Sequence, residues 1–96
     1  MLRINALPLA EEDLINIWLY GCEVWGAAKA DVYADSIERQ LNSLALSPKK
    51  YSIRKNFNPP VRICPHVSHI IIYTATESAI TIVRVLHQSM DVKQHL

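Results

Sequence analysis

Gly26 lies between two long segments whose apolar residues recur at helical spacing. In residues 9–25 and 28–45 this spacing predicts two amphipathic helices. Glycine readily adopts the left-handed conformation that commonly follows a helix, and Pro48 lies just beyond the second segment. Because so short a connection brings consecutive helices side by side, the pattern predicts an antiparallel helical hairpin.

Strand-like segments lie on both sides of the predicted hairpin. Residues 1–7 alternate apolar and polar side chains, and three apolar segments follow at residues 61–64, 68–74 and 79–86. Strands that follow a helical hairpin favour an antiparallel sheet covered by helices on one face. Since both faces of the last segment are largely apolar, it is expected to be a central strand. The sequence therefore predicts one α+β domain of residues 1–96, with the order β-α-α-β-β-β.

The segments between and after these elements are expected to lack regular structure. Residues 49–60 are polar and basic and contain Asn58-Pro59-Pro60, so a loop is predicted there. Pro65-His66 is predicted to connect two strands. The tail, residues 87–96, is polar and is expected to be only partly ordered.

Charge is distributed unevenly although the net charge is only +1. Residues 1–38 hold seven acids and two bases, whereas residues 39–76 hold six bases and no acid. This split indicates one acidic and one basic surface and therefore charged partners, although a solvated loop would give the same pattern. Tyr51 and Phe57 lie among the bases, so they either stack on nucleic acid or anchor the loop to the core. The residues of the predicted basic surface are Lys49, Lys50, Arg54, Lys55 and Arg62.

Several kinds of site have no support in the sequence. No stretch approaches the roughly 20 apolar residues of a membrane span, and the N-terminus lacks a signal pattern, so a cytoplasmic location is expected. Cys22 and Cys64 lack C-x-x-C spacing and are expected to be free thiols. The rings of His66 and His69 need not converge, and no carboxylate is near them in sequence, so neither a metal nor a cofactor is predicted. No phosphate-binding glycine loop or hydrolase motif indicates an enzyme.

The predicted first helix has a wider apolar arc than one buried face requires. Ile15 and Leu19 fall near the edge of this arc. An apolar fringe beyond the core is a candidate docking surface for a partner, and a covering loop is the alternative.

Arg84 interrupts the last apolar strand, and the alternation there predicts that it shares a face with Ile80, Ile82 and Leu86. A charge in such a strand requires a partner or an outlet to solvent. Arg84 is then either an anion-recognition residue or an edge arginine whose charged head lies in water.

Residues 10–48 resemble the helical hairpin of the ParE/RelE superfamily, and residues 58–96 resemble the C-terminal sheet and tail of its ParE branch. The resemblance covers nearly the whole chain, with its most characteristic pieces in the order expected of the superfamily. Those pieces are Ala10-Glu11-Glu12-Asp13-Leu14, Val61-Arg62, His69-Ile70-Ile71-Ile72-Tyr73 and Val83-Arg84-Val85-Leu86-His87.

The resemblance implies a toxin that inhibits DNA gyrase and is neutralised by a ParD-type antitoxin. The antitoxin's C-terminal segment would wrap the toxin, and operator DNA would be bound only through the antitoxin. Ile15, Leu19 and Arg84 would then contact the antitoxin. Arg84, His87, Met90 and Lys93 would contact gyrase.

Two alternatives remain within the superfamily. One is a ribosome-dependent mRNA endonuclease, in which His87 would move protons while Arg62 and Arg84 would stabilise charge on the phosphate. The tail Gln88-Ser89-Met90-Asp91-Val92 lacks the further bases and the tyrosine that this branch tends to carry. The other alternative is a non-toxic relative that only binds antitoxin.

Overall fold

The computed structural model describes residues 1–96 as one sheet with three helices. The elements in chain order are β1 Arg3–Ala6, α1 Pro8–Trp25, α2 Ala27–Leu46, β2 Ile53–Arg54, β3 Val61–His66, β4 His69–Ala75, β5 Ala79–His87 and α3 Val92–His95. The strands lie in the order β1-β5-β4-β3-β2. β1 is parallel to β5, and all other neighbouring strands are antiparallel. The predicted α+β fold with a mainly antiparallel sheet is confirmed.

Gly26 alone joins α1 to α2, which confirms the predicted hairpin. Its backbone has φ 92° and ψ 159°, a conformation that is essentially restricted to glycine. The Gly26 N–H donates to the carbonyl of Cys22 at 3.1 Å, so the chain reverses without a loop. Pro8 occupies the first turn of α1, where its missing N–H is not needed.

The two helices approach closely where Gly21 of α1 meets Ala30 of α2. Both residues are buried, and a Cβ atom added at Gly21 would lie 3.1 Å from the Ala30 Cβ atom. Trp25 lies 3.4 Å from the same position. Gly21 therefore sets the separation of the hairpin helices.

We expect Gly21→Val to lower the free energy of unfolding by about 1–3 kcal/mol, because the branched side chain overpacks the α1–α2 contact. Gly21→Ala is the matched control. The close contact of the added Cβ atom with Ala30 is offset by the higher helix propensity of alanine, which favours it over glycine by about 1 kcal/mol. Urea unfolding followed by circular dichroism measures both variants, and a Gly21→Val protein as stable as the parent would contradict this account.

The helical hairpin covers one face of the sheet and forms the main core with it. Ala10 of α1, Leu44 of α2 and Ile80 of β5 belong to this core and are 0–1% exposed. Tyr73 of β4 is also fully buried, and its hydroxyl donates to the carbonyl of Pro48 at 2.9 Å. This bond ties the chain after α2 to the centre of the sheet. β5 lies between β1 and β4, so its predicted central position is confirmed.

The second face of the sheet carries a smaller apolar cluster, and covering it requires segments that the sequence did not predict to be ordered. Val61, Ile72 and Leu86 are buried there, with Phe57 and Val92 packed against them. The predicted loop at residues 49–60 contains β2, which pairs with β3. The tail contains α3, where the Asp91 carboxylate accepts the backbone N–H of Lys93 at 3.1 Å. The loop prediction was wrong at Ile53–Arg54, which form β2, whereas the tail is helical only at Val92–His95.

The connection between β3 and β4 is shorter than predicted. Pro65 and His66 belong to β3, and His66 pairs directly with His69 of β4. Only Val67 and Ser68 form the turn, with Val67 in the left-handed region at φ 52°. This two-residue turn fixes which side chains lie side by side at the end of the hairpin.

A bulge in the β4–β5 pair changes the face on which Arg84 lies. Tyr73 pairs with Ile82 but Ile72 pairs with Arg84, so Val83 is the extra residue. An extra residue reverses the alternation beyond it. Ile82 therefore belongs to the helix-covered core and Leu86 to the second cluster. The prediction that Arg84 shares one face with Ile80, Ile82 and Leu86 was wrong.

Candidate functional site

The candidate site lies where β1 ends and β5 continues at the edge of the sheet. The pairing of β1 with β5 stops at Ala6 and Ile82, followed by a bond from the Leu7 N–H to the Ile82 carbonyl at 2.9 Å. Farther along β5, the Asp13 carboxylate of α1 accepts the Val85 backbone N–H at 3.0 Å. Asp13 thus satisfies a backbone group that a longer β1 would otherwise pair.

The same carboxylate holds Arg84 in a two-pronged ion pair. Arg84 Nε lies 2.7 Å from Asp13 Oδ2, and Nη2 lies 2.9 Å from Oδ1. The two side chains are 16% and 15% exposed. The hydrogen bond to Asp13 raises the pKa of Arg84, which stays charged. Arg84 Nη1 also donates to the His95 carbonyl at 3.3 Å, so the arginine links α1, β5 and α3.

A cavity of about 490 Å³ lies beside this ion pair, between α1, the ends of β4 and β5, and the tail. Its wall combines apolar and aromatic groups from α1 with imidazole rings from the strands and α3. The lining residues include Asp13, Ile17, Tyr20, Trp25, His69, Arg84, His87, Met90 and His95. Arg84, His87 and Met90, three of the residues predicted to contact gyrase, thus lie together at one cavity.

The imidazole rings near this cavity are joined by tyrosine and serine side chains. Tyr33 Oη of α2 lies 2.6 Å from His69 Nδ1, and Ser36 Oγ lies 3.0 Å from His66 Nε2. The rings of His69 and His87 meet edge to face with centroids 5.5 Å apart. The two-residue turn pairs His66 directly with His69, and both rings contact Tyr33 of α2.

The two histidines of this hairpin have pKa values lowered below the ordinary histidine value. Burial, followed by the neighbouring imidazoles of His87 and His66, lowers the pKa of His69. Burial also lowers the pKa of His66. One ring nitrogen of His69 is bonded to Tyr33, and His69 also lines the cavity.

Stability is expected to fall as the pH decreases through about 6.5, the ordinary histidine value. Below that pH the unfolded chain binds protons that the folded chain resists at His66 and His69, so protonation favours unfolding until their lowered pKa values are passed. Urea midpoints between about pH 7.5 and 5.5 measure the effect. His69→Gln should flatten this dependence, and a midpoint that rises toward acid would contradict it.

The residues predicted to contact the antitoxin divide between two places. Ile15 and Leu19 are exposed on the outer face of α1, at 58% and 48%. No neighbouring loop covers them, so the covering-loop alternative was wrong. Trp18 lies between them in sequence, is 38% exposed and donates from Nε1 to Asp31 of α2 at 2.7 Å. Arg84 lies at the cavity instead.

The structure does not assemble the three residues of the endonuclease alternative. Arg62 is on β3, separated by β4 from Arg84 and His87 on β5. Its guanidinium donates to the Tyr51 carbonyl at 2.6 Å. Arg62 also lines none of the cavity that Arg84 and His87 share.

The predicted basic surface surrounds β2 at the opposite edge of the sheet. Lys49, Lys50, Arg54 and Lys55 are all exposed. The Asp13–Arg84 pair is the single salt bridge of the protein, so none of these cations has an acidic partner. Tyr51 and Phe57 pack against the core clusters, which confirms the anchoring interpretation of these aromatics.

Three further features concern metal binding, membrane insertion and the cysteines. No three His, Cys, Asp or Glu side chains are grouped so that they could hold a metal ion. No helix is both long and apolar enough to span a membrane. Cys22 and Cys64 are free thiols, the second of them buried.

The chain is similar over nearly its whole length to proteins of known family. Residues 4–92 match the family model described as "ParE toxin of type II toxin-antitoxin system, parDE". Toxin ParE1 of Caulobacter vibrioides is 33% identical over 87 residues, covering 91% of this chain and 90% of that protein. Toxin ParE1 of Mycobacterium tuberculosis is 32% identical over 90 residues, covering 93% and 92%. A solved structure described as the chromosomal ParDE TA system from P. aeruginosa matches this chain with a TM-score of 0.77 and 20% sequence identity. The match covers 91% of this chain and 96% of that chain, and shows that the two have the same fold.

Proposed function

Because the chain belongs to the ParE toxin family of type II toxin–antitoxin systems, we propose that it inhibits DNA gyrase and is neutralised by a ParD-type antitoxin. The observation that carries the proposal is the match of residues 4–92 to this family, with the toxin fold intact around Arg84. The protein acts by binding, and since gyrase works on the bacterial chromosome, it acts in the cytoplasm.

The exposed apolar face of α1 is the proposed antitoxin-binding surface. Ile15 and Leu19 are one helical turn apart, and both are exposed on this face. An amphipathic helix of the antitoxin would place its own apolar side chains against them, as in helix-in-groove recognition. Arg84 would contribute from the neighbouring cavity, where the antitoxin would also cover the toxic surface.

The proposed gyrase-binding surface combines the end of β5 with the tail. His87 and Met90 are exposed at the cavity that contains Arg84, and Lys93 is exposed on α3. Arg84 holds this surface together, because its guanidinium contacts both Asp13 and the α3 backbone. These side chains are exposed to a partner, and Arg84 links the strand that carries His87 to the helix that carries Lys93.

A triple variant His87→Ala, Met90→Ala and Lys93→Ala is expected to raise the inhibitory concentration against gyrase about 10-fold or more, because hot-spot residues at an interface centre each cost about 1 kcal/mol or more. The three side chains are exposed, so the unfolding midpoint should stay near that of the parent. Lys29→Ala with Val32→Ala, exposed on α2, is the matched control. Equal inhibition by the triple variant and the parent would remove these residues from the toxic surface.

A gyrase supercoiling assay with purified protein tests the proposed function as a whole. Inhibition is expected with the protein alone and should disappear when an equimolar ParD-type antitoxin is added. Folded protein that leaves supercoiling unaffected at high concentration would overturn the gyrase proposal. Growth that continues normally after induction without antitoxin would then favour the non-toxic alternative.

The geometry gives the endonuclease alternative little support. The residues required around one phosphate are split between β3 and β5, and Arg84 already holds a carboxylate. Primer extension on cellular mRNA after induction distinguishes the two activities. Codon-positioned cuts would replace gyrase inhibition with ribosome-dependent cleavage, and intact mRNA with arrested supercoiling would support the gyrase target.

A further inference from the structure

The function proposed above leaves the basic surface at the β2 edge without a role. This surface consists of Lys49, Lys50, Arg54 and Lys55, all of them exposed. It lies beyond the β2 end of the sheet, about four inter-strand spacings or roughly 19 Å from β1. Asp13 of α1, by contrast, lies beside β5 near the β1 edge. The basic surface is therefore separated across the sheet from the Asp13–Arg84 ion pair.

No acid within the protein neutralises these cations. Residues 39–76 contain no carboxylate side chain, and the single salt bridge of the protein is elsewhere. Exposed like charges held on one surface attract a polyanion and repel each other without one. Arg62 anchors the segment that carries the lysines, because its guanidinium donates a hydrogen bond to the Tyr51 carbonyl.

The aromatic side chains of this segment pack against the two apolar core clusters. Tyr51 packs against the main core, and Lys50 Nζ lies 5.7 Å from the centre of its ring. Phe57 packs against the cluster on the second face of the sheet. Recognition of single-stranded nucleic acid depends on exposed rings on which bases stack. A surface with free cations and internally packed rings fits the phosphates of a duplex instead.

We infer that Lys49, Lys50, Arg54 and Lys55 form a sequence-independent binding surface for the phosphate backbone of duplex DNA. The choice of DNA over duplex RNA rests on the proposed gyrase target, since gyrase holds a DNA duplex. This contact differs from operator recognition, because phosphate contacts position a protein without reading bases. The cavity at Arg84 remains free for gyrase or antitoxin, since it lies at the other edge of the sheet.

Fluorescence anisotropy with a labelled random-sequence DNA duplex and no gyrase tests this inference. Four phosphate contacts predict that affinity falls roughly 150-fold between about 50 and 200 mM salt. Lys49→Gln with Lys50→Gln should reduce the slope of log affinity against log salt by about half. The matched control, Arg3→Gln with Lys29→Gln, removes the same charge from exposed positions outside the surface and should leave the slope unchanged.

Three results would overturn the inference. They are an absence of duplex binding at low salt, an equal loss of slope in the control variant, and a preference of about 10-fold or more for duplex RNA of the same sequence. The assay is separate from the supercoiling measurement. Gyrase inhibition by a protein that does not bind duplex DNA would leave the proposed function standing and remove only the DNA surface.

Discussion

Asp13→Ala is expected to lower the free energy of unfolding by about 2–4 kcal/mol, a large part of the roughly 5–15 kcal/mol typical of a domain. The substitution removes the acceptor of two Arg84 bonds and of the Val85 backbone N–H. Removing one partner of a fully buried pair costs about 3–5 kcal/mol because the remaining charge is left uncompensated. Since Arg84 and Asp13 are 16% and 15% exposed, water recovers part of this cost.

Urea unfolding followed by circular dichroism measures the effect of this substitution, with Glu23→Ala as the control. Glu23 is an exposed acid of the same helix, and its loss should change stability by less than about 0.5 kcal/mol. The double variant Asp13→Leu with Arg84→Met should recover most of the loss, because no charge then remains unpaired. An Asp13→Ala protein with the same urea midpoint as the control would show that the ion pair does not stabilise the fold.

Loss of Asp13 should also disturb the proposed toxic surface. Arg84 holds the α3 backbone through the His95 carbonyl, and Asp13 fixes the direction of the guanidinium. A released Arg84 would free the tail from β5. Inhibition of gyrase by the Asp13→Ala protein is therefore expected to weaken even under conditions where circular dichroism shows that the protein is folded.

The hairpin was predictable because its signals are local. The apolar stripes of α1 and α2 follow helical spacing, and Gly26 interrupts them at the one position where the chain reverses. The central strands were predictable for the same reason, since each is a continuous, largely apolar segment of the sequence. Short elements carry no such period, so β2 with two residues and α3 with four were missed.

The contacts of the candidate site were not predictable because they depend on long-range register. Arg84 and Asp13 are 71 residues apart, and their meeting requires both the end of β1 and the bulge at Val83. His66 and His69 converge only because a tight two-residue turn joins their strands. Tyr33 lies on the apolar face of the predicted second helix, and nothing in the sequence marked its hydroxyl as the hydrogen-bond partner of His69.

Ile15→Asp with Leu19→Asp is expected to weaken antitoxin binding about 100-fold or more. Apolar residues at the centre of an interface cost about 2 kcal/mol or more when lost, and the introduced carboxylates would also be desolvated against an apolar helix. The free toxin should keep its stability to within roughly 0.5 kcal/mol per substitution, because the two side chains are already 58% and 48% exposed. Isothermal titration of the toxin with its ParD-type antitoxin measures the affinity.

Ile53→Asp is the matched control for this antitoxin-binding test. Ile53 is 46% exposed on β2, at the edge of the sheet opposite β1. Its antitoxin affinity should equal that of the parent. The α1 variant should still inhibit gyrase, but antitoxin at equimolar concentration should no longer relieve that inhibition. Affinity within about 3-fold of the parent would show that the exposed face of α1 is not the antitoxin-binding surface, and would move that role to the cavity beside Arg84.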